Sequence, residues 1–100
     1  MGKKERKIET PVCDYAEKQG FLVRKYQSIG VRGGPDDIFY GHGLVFLMEF
    51  KTPEGDLEPW QTREIDRIRK HGCKVFVVDN VDAGKLLIDG AKMSGTVYAK

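Results

Sequence analysis

The sequence predicts an α/β fold in which a mixed β-sheet is flanked by helices. Apolar residues recur at helical spacing in separate stretches, short runs with a two-residue period lie between them, and glycine or proline marks the boundaries. The predicted order is helix, strand, strand, strand, helix, strand, helix. The third strand, second helix and fourth strand form a crossover unit, so those two strands should be parallel with a right-handed connection.

The first helix is predicted from five residues at helical spacing: Ile8, Val12, Tyr15, Ala16 and Gln19. Gly20 is a natural end for it. Pro11 suits the first turn of a helix, so Thr10 is the expected N-cap and Glu9 should lie just outside the regular helix.

Three strands follow the first helix. They are predicted over residues 21–26, 37–40 and 44–51, because these runs are rich in aliphatic and aromatic residues. A glycine-rich loop, 28–34, separates the first two, and a short turn, 41–43, joins the last two. The second and third strands should therefore form an antiparallel hairpin.

The second helix is expected to start at Pro59 and to end before Gly72. Its inward stripe consists of three residues: Gln61, Ile65 and Ile68. The run 74–78 is almost continuously apolar, which favours a central strand covered on both faces. A short helix over 82–88 closes the domain.

Length and composition indicate one globular domain, over residues 8–93, between a basic N-terminal arm (1–7) and a C-terminal tail (94–100) that frays. Hydrophobic residues make up 40% and charged residues 32% of the chain, which argues against disorder. No stretch approaches the apolar length of a membrane span, and the arm leads into no apolar signal core. We therefore expect a cytoplasmic protein without a membrane partner.

Cys13 and Cys73 belong to no Cys-x-x-Cys pair, which favours free thiols over a zinc site. His42 and His71 are isolated in the same way and are not candidate ligands. The formal net charge of +2 is close to neutral. Nucleic-acid binding must therefore depend on how the charges are distributed over the surface.

The most informative stretch runs from Gly33 to Lys51. The two-residue period of the third strand places Glu49 and Lys51 on one face, so a carboxylate and an ammonium emerge side by side. Asp36, which follows Pro35 at the start of the neighbouring strand, lies opposite them. Two carboxylates beside one lysine suit a divalent metal ion and a water nucleophile.

Each of these residues also has a purely structural interpretation. Asp36 and Asp37 could be turn residues, and Lys51 could be a strand end that extends to solvent. Glu49, in an otherwise apolar strand, could be satisfied by an ion pair with Lys51 or Arg24. This interpretation requires several coincidences at once.

Three groups of residues together resemble the PD-(D/E)XK nuclease superfamily: Gly33-Gly34-Pro35-Asp36, Glu49-Phe50-Lys51, and Gln61 on the next helix. The most similar subgroup is the virus-type replication-repair nuclease (VRR-NUC) domain. The similarity extends from the first helix to the last. It implies a restriction-endonuclease-like core and metal-dependent hydrolysis of phosphodiester bonds.

The resemblance also implies roles for individual residues. Asp36, Glu49 and the backbone carbonyl of Phe50 would ligate Mg²⁺ or Mn²⁺, ions that prefer hard oxygen donors. Lys51 would hold or deprotonate the attacking water and help to neutralise the charge on the phosphate.

Gln61 and Glu9 complete the set of candidate residues. Gln61 shares its helix face with Ile65; alone it would be a core amide or a first-turn cap, whereas the resemblance implies that it supports the metal ligands or contacts phosphate. Glu9 matches the family's first-helix acid in its distance from Gly20, which implies assistance to the metal. Pro11 departs from the family pattern there, and a solvated glutamate is the alternative.

Five basic residues are candidates for contact with DNA phosphates: Lys25, Arg32, Arg63, Arg67 and Lys70. The alternative for those on the second helix is a solvated face paired with Glu64 and Asp66. No helix resembles one that reads bases, so recognition should depend on backbone and shape.

The expected function is that of a Mg²⁺- or Mn²⁺-dependent, structure-selective DNA endonuclease that resolves four-way (Holliday) junctions. The resemblance implies a homodimer, since cutting both strands of a branch requires two active sites. One alternative is a flap or general duplex nuclease. An alternative from a different class is a catalytically silent DNA-binding module of the same fold, against which the intact Asp36, Glu49 and Lys51 argue.

Overall fold

The computed structural model describes residues 2–95, which form three helices and a four-stranded sheet. The helices are α1 (Lys3–Lys18), α2 (Pro59–Lys70) and α3 (Val81–Ser94). The strands are β1 (Leu22–Lys25), β2 (Asp37–Gly41), β3 (Leu44–Phe50) and β4 (Lys74–Val78). The predicted fold class and order of elements are confirmed. Within residues 2–95, no helix is long and apolar enough to cross a membrane.

The sheet has the strand order β1-β2-β3-β4. β1 pairs with β2, and β2 with β3, in antiparallel fashion, whereas β3 and β4 are parallel. The predicted hairpin and the parallel crossover pair are therefore confirmed. Because Asp37 lies opposite Met48 in the hairpin, the start of β2 meets the end of β3. Residues on either side of that meeting point come together at one end of the sheet.

The two faces of the sheet carry separate apolar clusters. Phe46, Met48 and Phe50 of β3 pack with residues of α1 and α3, including Val12 and Ile88. On the opposite face Leu47 packs with Ile65 of α2 and Val75 of β4. The strand period of two therefore assigns alternate β3 side chains to different helices. Each buried aliphatic or aromatic side chain contributes about 1.5–3 kcal/mol to the stability of the fold.

The first helix starts earlier than the sequence predicts. It begins at Lys3 with Gly2 as N-cap, so Pro11 lies inside the helix and Thr10 is not the cap. Residues 3–7, assigned above to a solvated arm, are its first turns. Pro11 removes one helical hydrogen bond, but the burial of Val12 and Ala16 outweighs that local cost. Packing rather than local propensity decides where this helix begins.

β4 is an edge strand of the described sheet, not the central strand that its composition predicts. Its apolar run reflects cover on both faces, with Val75 against the α2 cluster and Val78 against the α1 and α3 cluster. The side chain of Val77, on the same face as Val75, is 40% exposed. Helices on both faces produce a continuous apolar run whether or not a strand has two neighbours.

The last helix is longer than predicted, since it runs from Val81 to Ser94 rather than over 82–88. The Asn80 side chain accepts a hydrogen bond of 2.8 Å from the Ala83 N–H and caps its start. The predicted fraying of the tail (94–100) falls mostly on residues 96–100, which lie outside the described residues.

Two glycines of α3 provide a matched test of this packing. A Cβ on Gly84 would lie 2.5 Å from Cγ2 of Val12, whereas a Cβ on Gly90 would meet nothing within 4 Å. We expect Gly84→Ala to lower the free energy of unfolding, because an overpacking cost of about 1–3 kcal/mol exceeds the gain in helix propensity. Gly90→Ala should raise it by about 0.5–1 kcal/mol.

Thermal unfolding followed by circular dichroism measures both substitutions, and each kcal/mol should shift Tm by about 4–8 °C in a domain of this size. Equal stabilisation by the two alanines would show that α3 does not pack on α1 as described.

Candidate active site

Asp36 is held at the point where β2 begins and β3 ends. Its backbone N–H donates to the carbonyl of Met48 at 2.9 Å, which extends the hairpin ladder by one residue. Its side-chain Oδ2 accepts a hydrogen bond of 2.7 Å from the N–H of Phe50. The preceding Pro35 is buried and has no N–H to leave unpaired. The backbone of Asp36 is thus fixed by Met48, and its carboxylate by the N–H of Phe50.

Glu49 is the most constrained acid in this part of the molecule. It is 3% exposed and lies on the α2 face of β3. Its Oε2 accepts a hydrogen bond of 3.2 Å from the Gln61 Nε2. Among the described residues, Oε1 of Glu49 is buried without any hydrogen-bond partner. A buried carboxylate oxygen left in this state is unfavourable unless a proton or a cation occupies it.

Gln61 is oriented from both ends of its amide. Its Oε1 accepts a hydrogen bond of 2.9 Å from the N–H of Glu58, as part of a capping box at the start of α2. Its Nε2 is therefore directed to Glu49. The helix stripe predicted from the sequence brings this amide inward, next to the buried Ile65. The first turn of α2 and the end of β3 are joined through one side chain.

Both neighbouring acids have a raised proton affinity. Burial raises the pKa of Glu49 to about 8, and the negative charge of Asp36 acts in the same direction while Lys51 opposes it. Burial also raises the pKa of Asp36, against the effect of the Phe50 N–H. A buried and a half-buried carboxylate at close range form a site that favours a bound cation.

Lys51 follows the last residue of β3 and is half-buried. Its backbone N–H donates to the carbonyl of Val78 at 2.9 Å, so the parallel pairing with β4 continues one residue beyond the strand. This pairing preserves strand alternation and keeps the Lys51 side chain on the face of Glu49. The predicted neighbourhood of Asp36, Glu49, Lys51 and Gln61 is present in the structure.

A second ionic cluster lies on the opposite face, beneath α1. It contains Glu9, Cys13, Lys25 and Asp37. Lys25 pairs with Glu9 and lies 3.6 Å from the Asp37 Oδ1. The Cys13 thiol donates to the Asp37 Oδ2 at 3.6 Å. Glu9 and Cys13 are one helical turn apart, so the helix presents both to the sheet.

Asp37 and Glu9 share this cluster in different protonation states. Burial raises the pKa of Asp37 to about 7, and its hydrogen bond to Glu9 reinforces the shift. Burial also acts to raise the pKa of Glu9, but the hydrogen bonds from Asp37 and Lys25 outweigh it and hold that pKa below its ordinary value. Burial raises the pKa of the Cys13 thiol as well, so the thiol is protonated at neutral pH.

Glu9 belongs to this second cluster, and the assistance to the metal that the resemblance implies stays a prediction. Its carboxylate is engaged by Lys25, although its charge still raises the pKa of Asp36. Any role as a metal ligand would require Lys25 to release it. The prediction that Glu9 lies outside the helix is wrong, since the residue is 5% exposed inside α1.

The sequence does not predict the cluster around Asp37. Asp37 starts the predicted second strand and is 2% exposed, whereas a turn residue would be solvated. Strand alternation predicts that Asp37 points away from Asp36, because consecutive side chains of a strand lie on opposite faces of the sheet. Cys13 and Lys25 could not be assigned to the cluster without knowing that α1 covers that face.

The predicted DNA-binding residues have different surroundings. Lys25 belongs to the ionic cluster, and the Arg32 guanidinium lies over the Trp60 ring, 3.8 Å from its centroid. Arg67 Nε is 2.9 Å from Oε1 of Glu64. This ion pair is the alternative to contact with DNA phosphate that the sequence analysis gives for α2. The side chains of Arg63 and Lys70 are exposed.

Two environments on α2 differ from those that the sequence predicts. The alternative interpretation places Glu64 on a solvated face in an ion pair; the pair with Arg67 is present, but Glu64 is only 8% exposed. Trp60 had no assigned role, and it supports Arg32 beside the first turn of α2. His42 lies in the turn between β2 and β3, and its Nε2 is 2.8 Å from the carbonyl oxygen of Gln19.

The comparison with known proteins agrees with this geometry. No family model matches the chain. The chain is 32% identical over 85 residues to a protein described as "Putative nuclease p44" from Acyrthosiphon pisum secondary endosymbiont phage 1, a match that covers 84% of this chain and 91% of that protein.

A solved structure described as a "VRR_NUC domain" superposes with a TM-score of 0.79 and 32% sequence identity, covering 88% of this chain and 97% of the other. The match extends over most of this chain and nearly the whole of the other. On the strength of fold, sequence and coverage together, this chain belongs to the VRR-NUC family of nucleases.

Proposed function

We propose that this protein is a Mg²⁺- or Mn²⁺-dependent endonuclease that cuts branched DNA, with four-way junctions as its preferred substrate. The observation that carries the proposal is the Glu49 carboxylate, which is buried beside Asp36 with one oxygen unpartnered among residues 2–95. A fold that only binds DNA gains nothing from such a group, because a buried carboxylate oxygen without a partner lowers the stability of the fold.

The donor set fits a hard divalent cation. Asp36 and Glu49 supply carboxylate oxygens, and the Phe50 carbonyl is a third oxygen at the end of the same strand. The unpartnered Oε1 of Glu49 and the raised pKa of both acids are the properties expected of residues that bind a cation. When bound, the cation would supply a Lewis acid and lower the pKa of a coordinated water.

We assign the remaining chemistry to Lys51 and Gln61. The Lys51 ammonium lies on the Glu49 face, where it would hold or deprotonate the attacking water and offset charge that develops on the phosphate. Gln61 acts as a positioning residue, since its amide fixes the Glu49 carboxylate to the first turn of α2. Hydrolysis would leave the phosphate on one product end and a hydroxyl on the other.

The DNA backbone would be bound by exposed basic side chains near this site. Arg32 is adjacent to it through Trp60, and Arg63 and Lys70 extend the positive surface along α2. We assign smaller contributions to Arg67 and Lys25, because acids already neutralise them. These contacts read backbone position rather than base sequence.

A symmetric branch has two strands to cut, whereas one chain of this size carries one candidate site. We therefore propose that the working unit is a homodimer with two equivalent sites. A flap or general duplex nuclease is the competing enzymatic hypothesis, because the same residues can hydrolyse any phosphodiester bond that reaches them. The substrate comparison below separates these possibilities.

Substitutions at the site test the chemistry. We expect Asp36→Asn, Glu49→Gln and Lys51→Ala each to reduce DNA cleavage by at least about 100-fold, because each removes a ligand or the charge beside the nucleophile. DNA binding in EDTA should change little. Product formation on labelled DNA with Mg²⁺, Mn²⁺ or EDTA measures the effect.

Glu17→Gln is the matched control, because Glu17 is an exposed acid of α1 and its neutralisation should leave cleavage unchanged. Full activity of both Asp36→Asn and Lys51→Ala would contradict the site assignment. Absence of metal-dependent cleavage by the folded wild-type protein would contradict the enzymatic proposal and favour the silent DNA-binding module.

Substrate preference provides a separate prediction. Cleavage rates on a four-way junction, a flap, a continuous duplex and single-stranded DNA of shared sequence should be highest for the junction. Sedimentation of the protein alone should show a dimer at working concentrations, since paired cuts need two sites. A monomer that resolves junctions at full rate would rule out the dimer, and equal rates on all duplex substrates would favour the general nuclease.

The pKa shifts predict how stability without metal depends on pH. The folded-state pKa of Glu49, about 8, lies above its ordinary value of 4.5, so the folded state holds a proton that the unfolded chain has lost. Stability should therefore fall as pH rises from about 5 to 8. Asp36 and Asp37 act in the same direction, so Glu49→Gln should weaken this dependence without abolishing it.

Added Mg²⁺ or Mn²⁺ should raise Tm more at pH 8 than at pH 5.5, because the cation replaces a proton that is easier to remove at high pH. Thermal unfolding across this pH range, with metal or EDTA, measures both effects. A metal response that is equal at the two pH values, or unaltered by Glu49→Gln, would contradict Glu49 as a ligand.

A further inference from the structure

The loop between β1 and β2 presents an apolar side chain to solvent. Ile29 is 96% exposed, and the neighbouring Val31 is 44% exposed. The Val31 N–H donates to the Ser28 carbonyl at 3.4 Å, and Gly30 has a φ of +83°. This turn directs Ile29 outward at the tip. A single exposed isoleucine is common on protein surfaces, so its meaning depends on what holds the loop.

The base of this loop is fixed by close contacts. The Tyr26 N–H donates to the Asp36 carbonyl at 3.0 Å, which closes the loop at its two ends. A Cβ on Gly33 would lie 2.5 Å from the Trp60 carbonyl oxygen, and one on Gly34 would lie 2.7 Å from the Tyr26 ring. Glycine at both positions lets the loop pack directly against α2 and the end of β1.

Arg32 lies between the loop tip and Asp36 in sequence and packs against the start of α2. The Arg32 guanidinium stacks on Trp60, which precedes Gln61 on α2. Stacking restricts the guanidinium and leaves its exposed N–H groups available for a phosphate. Ile29 is seven residues before Asp36, so the two Cα atoms lie within about 25 Å of each other, the length of about seven base pairs.

We propose that Ile29 is an apolar wedge that inserts between bases at a branch point of DNA while Arg32 binds an adjacent phosphate. The proposal rests on the DNA nuclease function proposed above and supplies the element that would select a branch. Inserting a side chain into continuous duplex costs a few kcal/mol of lost stacking, whereas bases at a branch are already partly unstacked. An isoleucine at the tip of an anchored loop would therefore favour branched over continuous DNA.

The test measures base unstacking and binding with the full chain in EDTA, where cleavage does not interfere. The probes are a four-way junction with 2-aminopurine at the branch point and a continuous duplex with 2-aminopurine in the same sequence. Wild-type protein should raise the emission of the junction probe. Ile29→Ser should remove most of this rise and weaken junction binding about five- to tenfold.

Three further variants make the test specific. Ile29→Phe keeps a large apolar tip and should retain both the emission and the junction preference. Met93→Ser is the matched control, because Met93 is 88% exposed on α3 and belongs to neither the site nor the loop. Arg32→Ala should weaken binding to both DNAs and reduce the dependence of affinity on salt.

The outcomes separate the wedge from the nuclease proposal. Junction emission and affinity that are the same for Ile29→Ser and wild type would overturn the wedge, even if the wild-type protein cuts junctions. A wedge confirmed in a protein that cuts no DNA would leave the loop assignment in place and remove the catalytic proposal. A change in sedimentation of Ile29→Ser without DNA, with junction binding intact, would show that the loop contacts protein instead.

Discussion

The burial of the Glu49 carboxylate is the constraint on which the rest of the candidate site depends. Its position near the end of β3, where it is 3% exposed, requires compensation that the apolar neighbours on this strand cannot provide. Gln61 supplies one hydrogen bond and Lys51 a nearby positive charge, while the second carboxylate oxygen has no partner within residues 2–95. The sheet, the capping box of α2 and the parallel pairing with β4 all converge on this one group. A fold that tolerates such a group retains a position for a cation.

Strand alternation separates two acidic environments that are adjacent in sequence. Asp36 points to the Glu49 side of the sheet, whereas Asp37 points to α1 and meets Glu9, Cys13 and Lys25. The first environment has an unpartnered oxygen, and the second is internally compensated by Lys25. The first environment therefore offers an unpartnered oxygen to a cation, whereas in the second the Lys25 ammonium already pairs with Glu9. The Lys25 ammonium lies beside Glu9, where a metal ion would otherwise bind.

The chemical core of the site was predictable, because it depends on local periodicity. A period of two puts Glu49 and Lys51 on one face, a period of 3.6 turns Gln61 inward with Ile65, and Pro35 marks the start of the strand that carries Asp36. None of these inferences needs a long-range contact. The partners of Glu9, Lys25 and Arg32 did need such contacts, and the sequence misplaced or omitted them. Arg67 was open between two interpretations, and its ion pair with Glu64 supports the structural one.

By itself the sequence determined the order of the elements, the hairpin, the parallel crossover and the residues at the end of β3. Only the tertiary structure decided that α1 continues through Pro11, that β4 lies at the edge of the described sheet, and that Glu9 pairs with Lys25. The physical reason is the same in each case. Hydrophobic burial and ion pairing between elements distant in sequence exceed the local preferences of a proline, an apolar strand or a single glutamate, and such contacts exist only once the chain is folded.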